Sequence, residues 1–356
     1  MAKEKILITG GAGFIGSHTA DALAKRGYAI RILDNLEPVV HKGRWPKYLA
    51  GKGYELMRGD VRRKNDWVKA LRGVSYVYHF AAYQDQRPDF GTFFHTNTVG
   101  TAFLYEVAVA KKLPIKKIVI ASSQFVYGDG KYQCVHNKKT FYPELRTLKQ
   151  FERKEFDILC PHGKEARFFP FEEDQPLTPT NSYGLSKEAI ERLSLRFGKT
   201  YGIPTTVLRY SIVQGPRQSP HNLYSGALRI FVTQALAGKQ ITVFEDGKQK
   251  RDFVNINDVV AANLLVLKSR KADFEIFNVG GGMAYTVLEL AQKVQSVLGQ
   301  KSKVIGYKSI LIGGFRRTDT RHAVSDISKL KKLGWRPKYG IEKSVRDYVE
   351  WYKKNF

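Results

Sequence analysis

Tyr183 and Lys187 stand four residues apart in Tyr183-Gly-Leu-Ser-Lys187, a spacing that puts both on one face of a helix. A neighbouring ammonium stabilises a tyrosinate and lowers the phenol pKa, so that tyrosine serves as a general base below its free value of ~10. Ser122 and Ser123 follow the apolar run Lys117-Ile-Val-Ile-Ala121. From there Ser123 can share a moving proton by hydrogen bonding a substrate hydroxyl. The plain alternative for Tyr183 and Lys187 is a stacked surface pair, and the start of the chain decides against it.

That start reads Ile6-Leu-Ile-Thr-Gly10-Gly-Ala-Gly13-Phe14-Ile15-Gly16. An apolar strand runs into a glycine-rich turn and a helix, the arrangement that receives a dinucleotide pyrophosphate. Gly10 permits the turn, Gly13 lets the backbone approach the phosphates, and Gly16 lets the helix press onto the strand. The helix start adds free N–H groups and its positive end. Asp34 closes the next apolar run, 18 residues after Gly16. An acid there accepts both adenosine ribose hydroxyls and repels a 2′-phosphate, so NAD is favoured over NADP. The positive nicotinamide ring would add to Lys187 in stabilising a tyrosinate.

Strand patterns at 4–9, 28–33, 54–58, 74–79, 116–122 and 204–210 alternate with helix patterns at 14–26, 64–71, 92–111 and 182–201. This predicts an α/β chain, a Rossmann doubly wound parallel sheet covered on both faces. Ser122 and Ser123 then lie at the carboxyl edge, where such sheets bind ligands. Residues 1–214 read as the dinucleotide-binding domain. Residues 215–356 read mainly as a smaller substrate-binding lobe, with some segments returning to the first domain.

The formal net charge is +26, from 59 basic and 33 acidic residues. Such a surface attracts polyanions, nucleotide sugars among them. The basic residues are scattered, and no nucleic-acid recognition motif accompanies them, which disfavours a nucleic-acid partner. No apolar run approaches the ~20 residues that span a bilayer, and no signal-peptide pattern opens the chain. With two cysteines, a disulfide scaffold is not indicated. A cytoplasmic location is expected.

The motifs together resemble the extended short-chain dehydrogenase/reductases of the nucleotide-sugar epimerase and dehydratase branch, over essentially the whole chain. The resemblance is carried by the glycine turn, Asp34-Asn35, Gly59-Asp60-Val61-Arg62, His79-Phe-Ala81-Ala82, Asn97-Thr-Val-Gly100 and Ser122-Ser-Gln-Phe-Val-Tyr-Gly128. Tyr183 to Lys187, Leu208-Arg-Tyr210, Gly215-Pro-Arg217, Arg251-Asp-Phe253 and Phe277-Asn-Val-Gly280 continue it. It implies NAD contacts from Gly10, Gly13, Phe14, Ile15, Gly16, Asp34, Asn35, Asn97 and Ser122. Asp60 and Val61 would meet the adenine, Ala81 and Ala82 the dinucleotide backbone, and Lys187, with Tyr183, the nicotinamide end. Ser123, Tyr183 and Lys187 would be catalytic. Arg251 and Arg316 match arginines that grip the sugar-nucleotide diphosphate, for which guanidinium forks are suited. Arg251 has salt bridges to Asp252 or Asp258 as its alternative, and Arg316 competes with Arg317 and Arg321. Ser123, Gln124, Gln218 and Tyr224 would line the substrate pocket. The resemblance also implies a homodimer built from the helices at 92–111 and 182–201, with Phe93, Phe94, Leu104, Leu193 and Leu195 shared between core and interface.

Gln124 and Phe125 occupy the positions where 4,6-dehydratases of this branch carry Asp-Glu. Elimination therefore lacks its acid and base, and the reading is epimerisation at C4 of a dTDP-, UDP- or GDP-linked sugar through a 4-keto intermediate. A nucleotide-sugar reductase or dehydrogenase is the alternative among enzymes, and a basic scaffold or nucleic-acid-binding protein the alternative outside them. Ile212 stands where the branch has a substrate-binding asparagine, with Gln214 as a compensating candidate. The stretch 130–174 is an insertion that would overhang the sugar as a lid or specificity loop. Its Cys134-Val-His136 and Cys160-Pro-His162 offer four ligands for a zinc knuckle; the alternative is small buried thiols and surface histidines. Groups resembling dTDP-L-rhamnose 4-epimerases carry a comparable insertion, and with UDP-sugar 4-epimerases they are the part of the branch most similar to this chain.

Overall fold

The structure, a computed structural model, describes residues 3–85, 87–220, 226–299 and 310–356. Seven strands form one parallel sheet: β1 (Lys5–Thr9), β2 (Ala29–Asp34), β3 (Glu55–Arg58), β4 (Tyr76–His79), β5 (Lys117–Ser123), β6 (Thr205–Tyr210) and β7 (Ile276–Val279). Their order is β7-β6-β5-β4-β1-β2-β3. Chain order reverses on the two sides of β1, which makes the crevice between β1 and β4 the switch point where such sheets take ligands. The six predicted strands lie within two residues of their expected limits. β7 comes from the stretch read as the smaller lobe and returns to the large sheet.

The strands are apolar throughout because both faces are covered. Ile6 and Ile8 of β1 pack with Ala20, Leu23 and Val259, whereas Leu7 packs with Trp67, Leu104 and Ile118. The first face belongs to α1 (Phe14–Ala24) and a later helix at Ile256–Lys268. The second belongs to α2 (Lys64–Ala70), α3 (Gly100–Ala110) and α4 (Ser182–Tyr201). The smaller lobe packs α5 (Ala227–Leu236), α7 (Val287–Gly299) and α8 (Ile341–Asn355) around Leu228, Leu290, Val345 and Tyr348; α6 is the helix at Ile256–Lys268.

The helix predicted over 92–111 is broken. A turn at Phe90–Phe93 passes into a π-helical segment, Phe94–Val99, before α3 begins. The wide turn re-aims Asn97 inward. Asn97 accepts from the Tyr83 N–H at 2.7 Å and donates to Ser186 Oγ at 2.9 Å, tying the loop after β4 to α4. Phe93 and Leu104, expected to be shared with a partner subunit, are core residues; Leu193 and Leu195 are partly buried, and Phe94 is exposed.

The insertion forms its own small sheet from Tyr132–Cys134, Thr140–Phe141 and Ala166–Phe168, with a helical turn at Leu148–Glu152. Its core cysteines face each other with Sγ atoms 2.9 Å apart. His136 and His162 are exposed, and His162 Nε2 pairs with Asn137. The thiols are buried and the imidazoles exposed, with the two rings 5.6 Å apart. No group of three or more His, Cys, Asp or Glu among the described residues is arranged to hold a metal. Likewise, no described helix is long and apolar enough to cross a membrane.

α4 is fixed at its start by Asn181, whose Oδ1 accepts from the Gly184 N–H at 2.9 Å, and ends at Gly202 in the left-handed region, φ 67°. Gly184 allows the first turn to lie against the loop after β5. A Cβ there would stand 2.6 Å from the Phe125 carbonyl oxygen. Gly184→Ala is expected to lower unfolding free energy by about 1–3 kcal/mol, the usual cost of overpacking. Denaturant titration checks this; an unchanged midpoint would remove the close approach as a constraint.

Candidate active site

The carboxyl edge of the sheet is set by an uncharged histidine. His79 ends β4, with Nδ1 2.7 Å from Thr9 Oγ1 and Nε2 2.9 Å from Thr101 Oγ1. Burial pulls its pKa down to about 3, so it joins β1, β4 and α3 as a neutral ring. Above it the glycine turn closes on the loop after β4. A Cβ on Gly10 would lie 2.7 Å from the Ala81 nitrogen, and one on Gly16 would collide with the Gly10 carbonyl oxygen. The start of α1 has no side-chain cap. Gly10, Gly13, Phe14, Ile15 and Gly16 instead line a cleft of about 990 Å³, at the upper end of the ~300–1,000 Å³ usual for ligand sites.

Asp34 anchors this cradle. Its Oδ2 accepts from the Ala12 N–H at 3.0 Å and Oδ1 from the Leu36 N–H at 2.9 Å. Each oxygen retains acceptor capacity for one ribose hydroxyl. Burial raises its pKa, against His41 and the two backbone bonds. The side-chain-free cradle, the uncapped helix start and this acid fit a dinucleotide. Ala82 lines the cleft; Asp34, Asn35, Asp60, Val61, Ala81 and Asn97 do not. Asn35 closes a turn onto the Glu37 N–H, and Val61 accepts from Trp67 through its carbonyl. Ala81 donates to Thr9 Oγ1, and Asn97 is held by the bonds described above. Asp60, expected at the adenine, is forked by Arg62, with Nη2 to Oδ2 at 2.6 Å.

Across the cleft stand Ser123, Tyr183 and Lys187, brought together as expected. Tyr183 is hydrogen bonded to Ser123. Lys187 Nζ lies 5.6 Å from the Tyr183 ring centre and donates to the Ala121 carbonyl at 2.7 Å. Burial pushes Tyr183 up to about 12, opposed by the bond to Ser123. Burial also pulls Lys187 down to about 8, opposed by Glu191. The lysine was expected to depress the tyrosine, but here desolvation is the larger effect on both.

Glu191 escaped the sequence reading, although 183, 187 and 191 share one helix face. It is buried, accepts from Ser122 Oγ, and is forked by Arg209, with Nε to Oε1 at 2.9 Å and Nη2 to Oε2 at 2.7 Å. Arg209 also donates to Tyr127 Oη at 2.6 Å, and Tyr127 to Asn278 Oδ1 at 2.8 Å. This network locks α4 to β5, β6 and β7. Ser122 is spent on it, while its backbone still lies in the cleft wall.

The cleft's other wall comes from the smaller lobe. Arg251 lines it without the expected alternatives: Nη2 donates to the Thr320 carbonyl at 2.8 Å and Nη1 to that of Arg321 at 3.0 Å. Arg316 lines it too, 4.7 Å over the Phe244 ring, and Arg321 is withdrawn into buried ion pairs. Ile212, Gln124 and Gln218 are in the wall. Gln214 is not: it is buried opposite Asn255 in the ladder of Ile212–Gln214 and Lys250–Asn255. Tyr224 lies outside the described residues. No described residue of 130–174, the stretch expected to overhang the sugar, lines the cleft.

Comparison with known proteins bears on this geometry. A family model described as "NAD dependent epimerase/dehydratase family" matches residues 6–153 and 160–280. The dTDP-L-rhamnose 4-epimerase of Burkholderia thailandensis is 30% identical over 355 residues, covering 98% of this chain and 94% of that protein. The crystal structure of Thermotoga maritima UDP-glucose 4-epimerase with UDP-glucose superposes with a TM-score of 0.79 at 28% identity, covering 98% of this chain and 99% of that one. The Thermus thermophilus UDP-glucose 4-epimerase complex with NAD gives 0.77 at 29% identity, covering 99% and 100%. The two-walled cleft, with its phosphate cradle and its Ser-Tyr-Lys face, and the extent of these matches place the chain in the NAD-dependent epimerase/dehydratase family.

Proposed function

We propose that this protein is an NAD-dependent nucleotide-sugar 4-epimerase. The observation that carries the reading is the Tyr183–Ser123 hydrogen bond facing a cleft in which the next two residues, Gln124 and Phe125, are uncharged. Among the described lining residues the one carboxylate is Asp319, across the cleft with Arg316 and Thr320. A dehydratase needs an acid and a base beside the sugar, and none stands next to Ser123.

NAD, held by the Gly10–Gly16 cradle, the start of α1 and Asp34, supplies reversible hydride acceptance. The protein's own residues handle the proton. Tyr183 Oη takes it from the sugar hydroxyl and later returns it, with Ser123 bridging phenol and substrate. Lys187, oriented by the Ala121 carbonyl, keeps positive charge near the developing tyrosinate. Ser123, Tyr183 and Lys187 are thus the catalytic set. Arg251 and Arg316, flanking the far wall, hold the diphosphate, and Gln124 and Gln218 contact the substrate. Inversion at C4 would require the keto sugar to present its other face in the cleft of about 990 Å³ before Tyr183 returns the proton. dTDP- and UDP-linked hexoses are the first substrates to test, since the similar proteins named above are 4-epimerases of such sugars.

We further propose a homodimer through α4 and the segment ahead of α3. Phe94, Val99 and Leu185 are 38%, 39% and 45% exposed on these adjoining elements, apolar side chains available to a second copy. Light scattering at micromolar concentration should return twice the chain mass; a monomer mass removes the proposal.

Purified protein should interconvert a C4 pair of nucleotide sugars, seen by sugar NMR, without stoichiometric NADH. Tyr183→Phe should cut turnover by about 10²–10⁴-fold with folding retained. NADH accumulating in step with product would instead favour the dehydrogenase reading. The pH profile is the second check. Lys187 is charged below its pKa of about 8. Turnover should therefore fall as pH rises through that region, and Lys187→Arg, which stays charged, should lose this alkaline limb while working more slowly. A limb unchanged in Lys187→Arg would assign it to another group.

A further inference from the structure

The insertion reaches an arm of the smaller lobe, residues 315–321, and none of its described residues lines the cleft. Arg146, ahead of the helical turn Leu148–Glu152, is a buried residue whose Nη2 lies 2.9 Å from Glu245 Oε1 and donates to the Asp319 carbonyl at 2.7 Å. Its Nη1 donates to Glu245 Oε2 at 3.1 Å and to the Phe156 carbonyl at 2.8 Å. Its guanidinium lies 4.6 Å over the Phe151 ring, and Phe151 stacks on Phe315 at 4.6 Å and 10°. Asp157, also in the insertion, pairs with Arg321 Nε at 2.7 Å. Arg321 in turn forks Asp246, with Nη1 to Oδ1 at 2.7 Å and Nη2 to Oδ2 at 2.9 Å, and donates from Nη1 to Glu245 at 3.1 Å.

These contacts fix consecutive peptide units of the arm. The Asp319 carbonyl is held by Arg146, and those of Thr320 and Arg321 by Arg251. The Arg321 N–H donates to Asp129 Oδ1 at 2.6 Å. Phe315 is held by Phe151 on one side of Arg316, and the ring under Arg316 is Phe244, the neighbour of Glu245. Glu245 has φ 55°, which a residue with a side chain rarely adopts. The cluster sets the Arg146 and Arg321 guanidiniums against the carboxylates of Glu245, Asp246 and Asp157, with Asp129 on the Arg321 N–H. Arg251 and Arg316 line the cleft beside it.

We propose that the 130–174 insertion braces the arginine arm, with Arg146 as a positioning residue for diphosphate binding. The inference rests on the reading of Arg251 and Arg316 as the diphosphate grip. The insertion acts from behind this wall, so its loss is felt in substrate affinity and not in proton transfer.

The test uses the full chain, with UDP and dTDP as probes in calorimetric titration. Bound NAD, KM and kcat are measured alongside. Arg146→Met should weaken binding of whichever nucleotide the wild type takes, and raise KM, by at least about ten-fold, because the fork to Glu245 and the Asp319 carbonyl is lost. NAD content should stay normal and kcat within about two-fold, since the catalytic set lies on the other wall. Arg146→Lys should recover part of the affinity. Asp157→Asn, whose carboxylate is half exposed, serves should Arg146→Met fail to fold, with an expected loss of about two- to three-fold. Unchanged affinity in the folded insertion variants, with a ten-fold loss in Arg251→Met, overturns the brace and keeps the functional reading. Unchanged affinity in Arg251→Met and Arg316→Met, or no binding of either nucleotide by the wild type, overturns both.

Discussion

Enclosing the Arg209 guanidinium and the Glu191 carboxylate together takes two full charges out of water, a cost repaid only when nearly every donor and acceptor finds a partner. Both side chains are 2% exposed. Ser122 and Tyr127 complete the pair, and Asn278 extends it to β7. Four strands and helices thereby meet at fixed distances: β5 through Ser122, β6 through Arg209, β7 through Asn278 and α4 through Glu191. Ser123 follows Ser122 directly, and Lys187 lies one helical turn before Glu191. The reacting groups inherit their spacing from this pair. Loss of one partner would leave the other charged and buried, which explains why an ionic bond, and not an apolar contact, sits under a site that must not shift.

The same enclosure governs the proton chemistry. Burial favours the neutral form of every ionisable group, so it lifts Tyr183 and lowers Lys187. Glu191 works against this at the lysine, where it favours the ammonium, and Ser123 works against it at the phenol. The free protein thus holds a protonated tyrosine beside a lysine whose charge is kept by a carboxylate behind it. A tyrosine so placed becomes basic only when further positive charge enters the cleft, which couples base strength to occupancy by an oxidised nicotinamide.

What could be read from the chain was what leaves a continuous trace in it. Strands of a parallel sheet covered on both faces are unbroken apolar runs, and a phosphate cradle has to be written in glycine. The Tyr183 and Lys187 spacing likewise survives as a helix period. The π-helical segment at Phe94–Val99 did not show, because one wide turn hardly alters the apolar period of a long helix. β7 is four residues long and lies among glycines. Cys134, His136, Cys160 and His162 have matched spacing, yet spacing does not record that the thiols are buried and the imidazoles exposed. Arg146 and Glu245 gave no signal, and Arg321 was legible only as a competitor of Arg316, since a buried ion and an exposed one are spelled alike. The arm's architecture depended on that distinction. Arg251 and Arg316 were legible only through resemblance, and the burial of Gln214 in its ladder was not legible at all.

The insertion leaves and rejoins the sheet at nearly one place. The Gly130 N–H donates to the Tyr127 carbonyl at 3.1 Å, the Glu173 carbonyl accepts from Arg209 at 3.0 Å, and the Tyr127 ring stacks on Phe171 at 4.6 Å. Closely spaced ends are what a transplantable module needs. This one also has a socket, because Arg146 and Asp157 meet charges that belong to residues 245, 246 and 321. A chimaera that receives the insertion without those three would bury the Arg146 guanidinium without Glu245, and one that keeps them without the insertion would bury Glu245 short of Arg146. The insertion and its acceptors are therefore one physical unit, split across three stretches of sequence.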